Sequence, residues 1–135
     1  MPALDTNVLV RYIVQDDLAQ FAAAQKLIRR CVDEQLTLFV PITVTLELEW
    51  VLRSNYALTK DETIRVLSEL FSAEELSFES DRALEVALDL YRDKAADFAD
   101  CVHIALAVQA GEQQLWTFDK NASKTPGAQL LTRQT

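Results

Sequence analysis

Apolar and polar positions alternate along this chain in two periods, one helical and one extended. Ala3-Leu4 is a short apolar start that stops at Asp5-Thr6-Asn7. Those three are good helix N-cap types, and Val8 to Val14 then reads as a short, mostly apolar helix. Asp16-Asp17 opens a second helix to about Val32, with Leu18, Phe21, Ala22, Leu27 and Ile28 near helical period. Leu36-Thr37-Leu38-Phe39-Val40 is a β-rich apolar run stopped by Pro41, the pattern of a buried strand. Thr43 or Thr45 is expected to cap a helix through Leu52. Thr59, with Glu62 three residues on, forms a capping-box pattern that opens another helix to about Phe71. Leu76 to Phe78 is a short strand, and Ser80 starts a helix to about Arg92. A further helix is expected from Asp97 to Ala110, ending at Gly111. Gln114 to Phe118 and Gln129 to Leu131 close the series as strands.

Strands alternating with single or paired helices predict an α/β fold, a three-layer α/β/α sandwich with a short, largely parallel sheet. The 135 residues match one domain (1–135), and half of them are hydrophobic, enough to bury a core without disulfides or structural zinc. No apolar run approaches the ~20 residues that cross a bilayer, and the N-terminus lacks a basic region leading into an apolar one. A cytoplasmic protein is expected. Cys31 and Cys101 show no metal-ligand spacing and read as buried thiols.

Where the acids fall carries the chemistry. Asp5 and Asp119 each end an apolar strand, which in a parallel sheet puts both at the carboxyl edge where open α/β folds bind ligands. Right-handed crossovers start the helix that precedes a strand at this same edge, so Asp97 and Asp100 belong there too. Glu47 lies about one turn into the helix that follows strand Leu36–Val40, again near that edge. Carboxylates gathered in a cleft repel one another, and a hard divalent cation, which prefers oxygen ligands, relieves that repulsion. Mg²⁺ or Mn²⁺ in such a site suits attack of water on a phosphodiester.

Each acid also has a structural reading. Asp5 alone serves as an N-cap, and Asp97 and Asp100 complement a helix dipole. The joint pattern therefore carries the inference. Glu47 sits among Val44, Leu46, Leu48, Val51 and Leu52, which makes Glu49 the expected solvated acid of the pair. His103 has no Cys or second His beside it and reads as a structural histidine. Trp50, Trp116 and Phe118 read as packing residues rather than base-stacking platforms. A haloacid-dehalogenase phosphatase would need Asp two positions after Asp5, where Asn7 stands. A response-regulator receiver would need a second acidic pair near the start, whereas Asp16-Asp17 lies beyond a helix. A non-enzymatic α/β binding module, its acids acting as caps and solubilising charge, is the alternative from another class.

Taken in order, Leu4-Asp5-Thr6-Asn7-Val8-Leu9, Leu46-Glu47-Leu48-Glu49-Trp50-Val51-Leu52, Asp97-Phe98-Ala99-Asp100 and Thr117-Phe118-Asp119 resemble the PIN domain, most nearly the VapC-type toxins of bacterial toxin–antitoxin pairs. The resemblance runs the length of the chain, and the combination is specific where each block alone is weak. It implies a metal-dependent endoribonuclease, homodimeric and silenced by a small cognate antitoxin; a non-toxin PIN nuclease is the nearest alternative. It matches Asp5, Glu47, Asp100 and Asp119 to the acidic quartet and Asp97 to an additional acid. Thr6, Asn7 and Thr117 match supporting polar positions. Charge is the departure. With 21 acids against 13 bases the chain carries −8, so RNA must meet a local basic patch or a bridging cation, while a basic protein partner is steered in.

Overall fold

Helix caps and parallel strand ends decide where this chain turns, and in the computed structural model, which describes residues 1–111 and 114–134, they do so in two compact units, Met1–Glu79 and Ser80–Thr135. Among the described residues the elements are mixed α/β with parallel strands throughout, as the alternation predicts. None of these helices is long and apolar enough to cross a membrane.

The first unit opens with an extended segment beside strand β1 (Leu38–Val40). Ala3 bridges Phe39 in parallel, Leu4 N donates to Phe39 O at 2.9 Å, and Phe39 N donates to Pro2 O at 2.7 Å. Strand β2 (Leu76–Phe78) pairs with β1 in parallel register, Leu38 facing Leu76 and Val40 facing Phe78. Helix α1 (Thr6–Val14) starts one residue after Asp5, two residues before its expected start, because Asp5 rather than Thr6 or Asn7 is the cap. Helix α2 (Leu18–Asp33) is capped by Asp17, whose Oδ1 accepts from Gln20 N at 3.0 Å.

Helix α3 (Ile42–Ser54) corrects one expectation: neither Thr43 nor Thr45 caps it. Pro41 holds the cap position without a side-chain bond, and Glu79, just past β2, accepts from Ile42 N at 2.8 Å. A cap supplied from 37 residues away leaves no local signature. Thr45 is instead fully buried. Helix α4 (Lys60–Phe71) carries the Thr59–Glu62 capping box as predicted. Leu4, Leu9, Leu38, Val40, Leu48, Leu52 and Leu67 are buried in this unit, each stabilising it by ~1.5–3 kcal/mol relative to exposure.

The second unit pairs helix α5 (Asp81–Asp93) with helix α6 (Phe98–Gln109), and the rings of Tyr91 and Phe98 stand 5.5 Å apart, tilted. Gly111 ends α6 at φ +92°, the left-handed conformation its place predicts. Strand β3 (Leu115–Thr117) runs parallel to β4 (Ala128–Leu130), and a four-residue helix α7 (Lys120–Ser123), not foreseen from the sequence, connects them. Gly127 precedes β4 at φ +94°, and a Cβ there would come within 2.8 Å of Ile104 Cγ2 on α6. The turn packs against the helix because this residue has no side chain. Cys31 and Cys101 are both buried, and neither forms a disulfide.

Candidate active site

The acids singled out in the sequence fall into two clusters, one in each unit. In the first unit, Asp5 is exposed where the N-terminal extended segment becomes α1, and its Oδ1 accepts from Thr6 N at 2.7 Å. Thr6 is buried, and its hydroxyl donates to Glu47 Oε1 in a short hydrogen bond. That contact joins the start of α1 to the second turn of α3. Asn7 is exposed beside them.

Glu47 and Glu49 reverse the expected exposure. Glu49 is the buried one, 3% exposed, and pairs with Arg53 one turn on, whose Nη2 donates to Oε1 at 3.1 Å and whose Nε donates to Oε2. Glu47 is the exposed one. The reason is angular. Val44, Thr45, Leu48, Glu49 and Leu52 form the buried stripe of α3 at spacings of three and four, and ~100° per residue turns Glu47 off that stripe despite its apolar neighbours in sequence. An exposed carboxylate anchored through a buried hydroxyl is better placed to ligate a cation than a buried one already paired with an arginine.

In the second unit, Asp97 caps α6, its Oδ1 accepting from Asp100 N at 2.9 Å. Asp100 is half-buried in the first turn, and its carboxyl is pushed above the usual carboxylate range. Burial is the largest cause. Repulsion from Asp97, a side-chain hydrogen bond with Asp97 and repulsion from Asp119 follow, and His103 opposes them. His103, read from the sequence as a core or surface histidine, lies exposed on α6. Asp119 follows β3 and caps α7, its Oδ1 accepting from Ala122 N at 3.0 Å. Thr117 Oγ1 accepts from Asp119 N at 3.0 Å, which fixes the backbone from which that carboxylate projects. The start of the helix that precedes β3 and the end of β3 itself thus meet at one edge, as crossover handedness requires.

The cap and ligand readings of these acids coexist. Asp5, Asp97 and Asp119 each engage one oxygen, Oδ1, with a helix N-terminus, which leaves Oδ2 for another ligand. Among the described residues, no group of three or more His, Cys, Asp or Glu side chains is arranged as it stands to hold a metal ion. The donor chemistry nevertheless fits a hard divalent cation: every candidate ligand is a carboxylate oxygen, and the repulsion from Asp97 and Asp119, which adds to burial in raising Asp100, is what a cation relieves. A groove of about 330 Å³ between α1 and α2, lined by Asn7, Val8, Arg11, Gln20, Ala24 and Leu27, contains none of the five acids.

The family model for the PIN domain matches residues 3–128 and takes in both acid clusters. No curated protein matches the chain. PIN domains are in general metal-dependent nucleases acting on RNA or DNA, and their α/β/α fold is built on short parallel strands like those seen here. By a match over nearly its whole length, the chain belongs to the PIN domain family and is a nuclease at that level.

Proposed function

We propose that this chain is a metal-dependent endoribonuclease, the toxin of a toxin–antitoxin pair, acting as one domain over residues 1–135. The observation that carries the reading is the acid cluster of the second unit, where Asp97 caps α6 and accepts from Asp100 N while Asp119 stands at the end of β3, near enough to Asp100 to repel it. A divalent cation would relieve the repulsion among these carboxylates. The toxin assignment is supported by the resemblance of the Asp5-Thr6-Asn7, Asp97–Asp100 and Thr117–Asp119 blocks, and the single-domain reading by one family match running through both units.

Asp5, Glu47, Asp100 and Asp119 hold the metal in this account, with Asp97 as a secondary ligand. A bound Mg²⁺ or Mn²⁺ supplies positive charge against the scissile phosphate and lowers the pKa of the attacking water. Thr6 keeps the Glu47 carboxylate in one orientation through its hydroxyl, and Thr117 does so for Asp119 through the backbone. Asn7, exposed next to Thr6, offers an amide to substrate. The homodimer and the antitoxin are expectations of the same resemblance, the charge of −8 favours a basic partner, and a cytoplasmic setting is the expectation drawn from the lack of a membrane-spanning apolar run in the sequence.

Overproduction of the chain tests the toxin role. Growth should stop, and co-expression of the small protein encoded beside it should restore growth. A chain that cuts RNA in vitro yet is harmless when overproduced would remove the toxin role and leave the nuclease.

A further inference from the structure

Trp116 and Phe118 were expected inside, yet they are 52% and 76% exposed. Trp116 is the exposed middle residue of β3, flanked by half-buried Leu115 and Thr117, and Phe118 follows in the bend just past the strand. Gln129, the register partner of Trp116 on β4, is exposed as well. Trp116 and Phe118 are two residues apart in the chain, so their Cα atoms are separated by at most ~7 Å, within the span of neighbouring bases of one strand. Phe118 is also directly followed by Asp119, whose carboxylate is a candidate ligand.

Charge in this segment runs against the rest of the chain. Residues 114–134 hold three bases, Lys120, Lys124 and Arg133, against one acid, Asp119, a local balance of +2 in a chain of −8. All three bases are exposed and make no ion pair among the described residues. Exposed aromatic rings interleaved with unpaired cations are what single-stranded nucleic acid asks of a protein: π-faces for its bases and positive charge for its phosphates.

We propose that Trp116 and Phe118, with Lys120 and Lys124 beside them, form a base-stacking platform that docks single-stranded RNA next to Asp119. This rests on the nuclease reading above and adds how an acidic chain holds its substrate. The platform selects single strands, since a duplex keeps its bases stacked on one another and offers these rings nothing. It lies wholly within the second unit.

Binding is measured apart from cutting. The probe is a fluorescein-labelled, 2′-O-methyl oligouridine held in EDTA, titrated with the full chain and followed by anisotropy, with Trp116 emission in a Trp50→Phe background as a second readout. Phe118→Ala should weaken binding roughly 5-fold or more, the effect of losing one stacked base, and Phe118→Tyr should restore it. Lys120→Ala should weaken binding less and flatten its salt dependence. Three results would each overturn the platform: Phe118→Ala binding as tightly as the parent chain, Phe118→Leu substituting fully for the ring, or a duplex of the same length binding equally well. A fourth is a change of oligomeric state on Phe118→Ala, which would make the patch an interface between copies. If the parent chain binds the probe with this aromatic dependence but cuts no RNA with Mg²⁺ or Mn²⁺, the nuclease reading fails and the platform stands.

Discussion

Thr6 and Glu47, 41 residues apart, are joined by a hydrogen bond from the Thr6 hydroxyl to Glu47 Oε1. Thr6 is buried and cannot rotate freely, so it serves as a fixed post for an exposed carboxylate. Nuclease activity that uses Glu47 should therefore depend on the hydroxyl of a residue that never touches substrate.

Thr6→Val keeps the shape and removes the donor. It should lower kcat/KM for RNA roughly 10-fold, the cost of ~1–1.5 kcal/mol for one hydrogen bond, while Thr6→Ser retains most activity. A Mn²⁺ titration separates the causes, since a positioning effect raises the half-saturating metal concentration. Equal activity of the Val and parent chains across that titration would show that Glu47 needs no anchor.

Asp100 leads to a stability prediction with a definite sign. Its carboxyl is raised in the folded chain, chiefly by burial and then by Asp97 and Asp119, so the folded state favours the protonated form. That contribution is complete below the unfolded aspartate value of ~3.9 and is lost as pH rises through the raised folded value. Above it, the ionised group destabilises the fold. Asp100→Asn should then be more stable than the parent at neutral pH, with the gap closing toward pH 4. Urea unfolding at several pH values reads this directly, and saturating Mn²⁺ should narrow the gap at neutral pH. A difference that does not vary with pH would rule out the crowded carboxylates as its cause.

At α4 the sign is opposite. Glu62 is held below the usual carboxylate range, first by its hydrogen bond to the Thr59 backbone, then by the Thr59 side chain. Its stabilising effect is present above the unfolded value of ~4.3 and is lost as pH falls through the lower folded value. Thr59→Ala removes the cap and should cost about 0.5–2 kcal/mol at neutral pH. Thermal unfolding between pH 7 and 3 should show that cost shrinking with acid.

The two acid clusters and the capping box show which signals a sequence carries. Asp5, Asp97 and Asp119 stand out in the sequence because each lies where a strand or loop meets a helix, and there each caps the first turn. The Thr59–Glu62 box is local in the chain and needed no tertiary knowledge. What depended on distant partners was not legible. Glu79 caps α3 from just past β2, 37 residues on, and the buried face of α3 takes Glu49 because Arg53 lies one turn away. The strands expected over Leu36–Val40 and Gln114–Phe118 shrink to three residues because only that many find parallel partners, while Leu76–Phe78 spans the residues expected. The exposure of Trp116 and Phe118 ran against composition, since aromatic residues in a strand usually mark a core.

Cleavage of a single-stranded RNA by the purified chain, with Mn²⁺ and with EDTA, is the most direct test of the central claim. The parent chain should cut only with the metal, and Asp5→Asn, Glu47→Gln, Asp100→Asn and Asp119→Asn should each reduce the rate by about 100-fold or more, on the order of the ~2.7–4 kcal/mol seen when one charge-stabilising group is removed. Asp97→Asn should cost less. Circular dichroism confirms that each variant is folded. Metal-independent cutting, or folded Asp100→Asn and Glu47→Gln chains that cut at the parent rate, would contradict the carboxylate site.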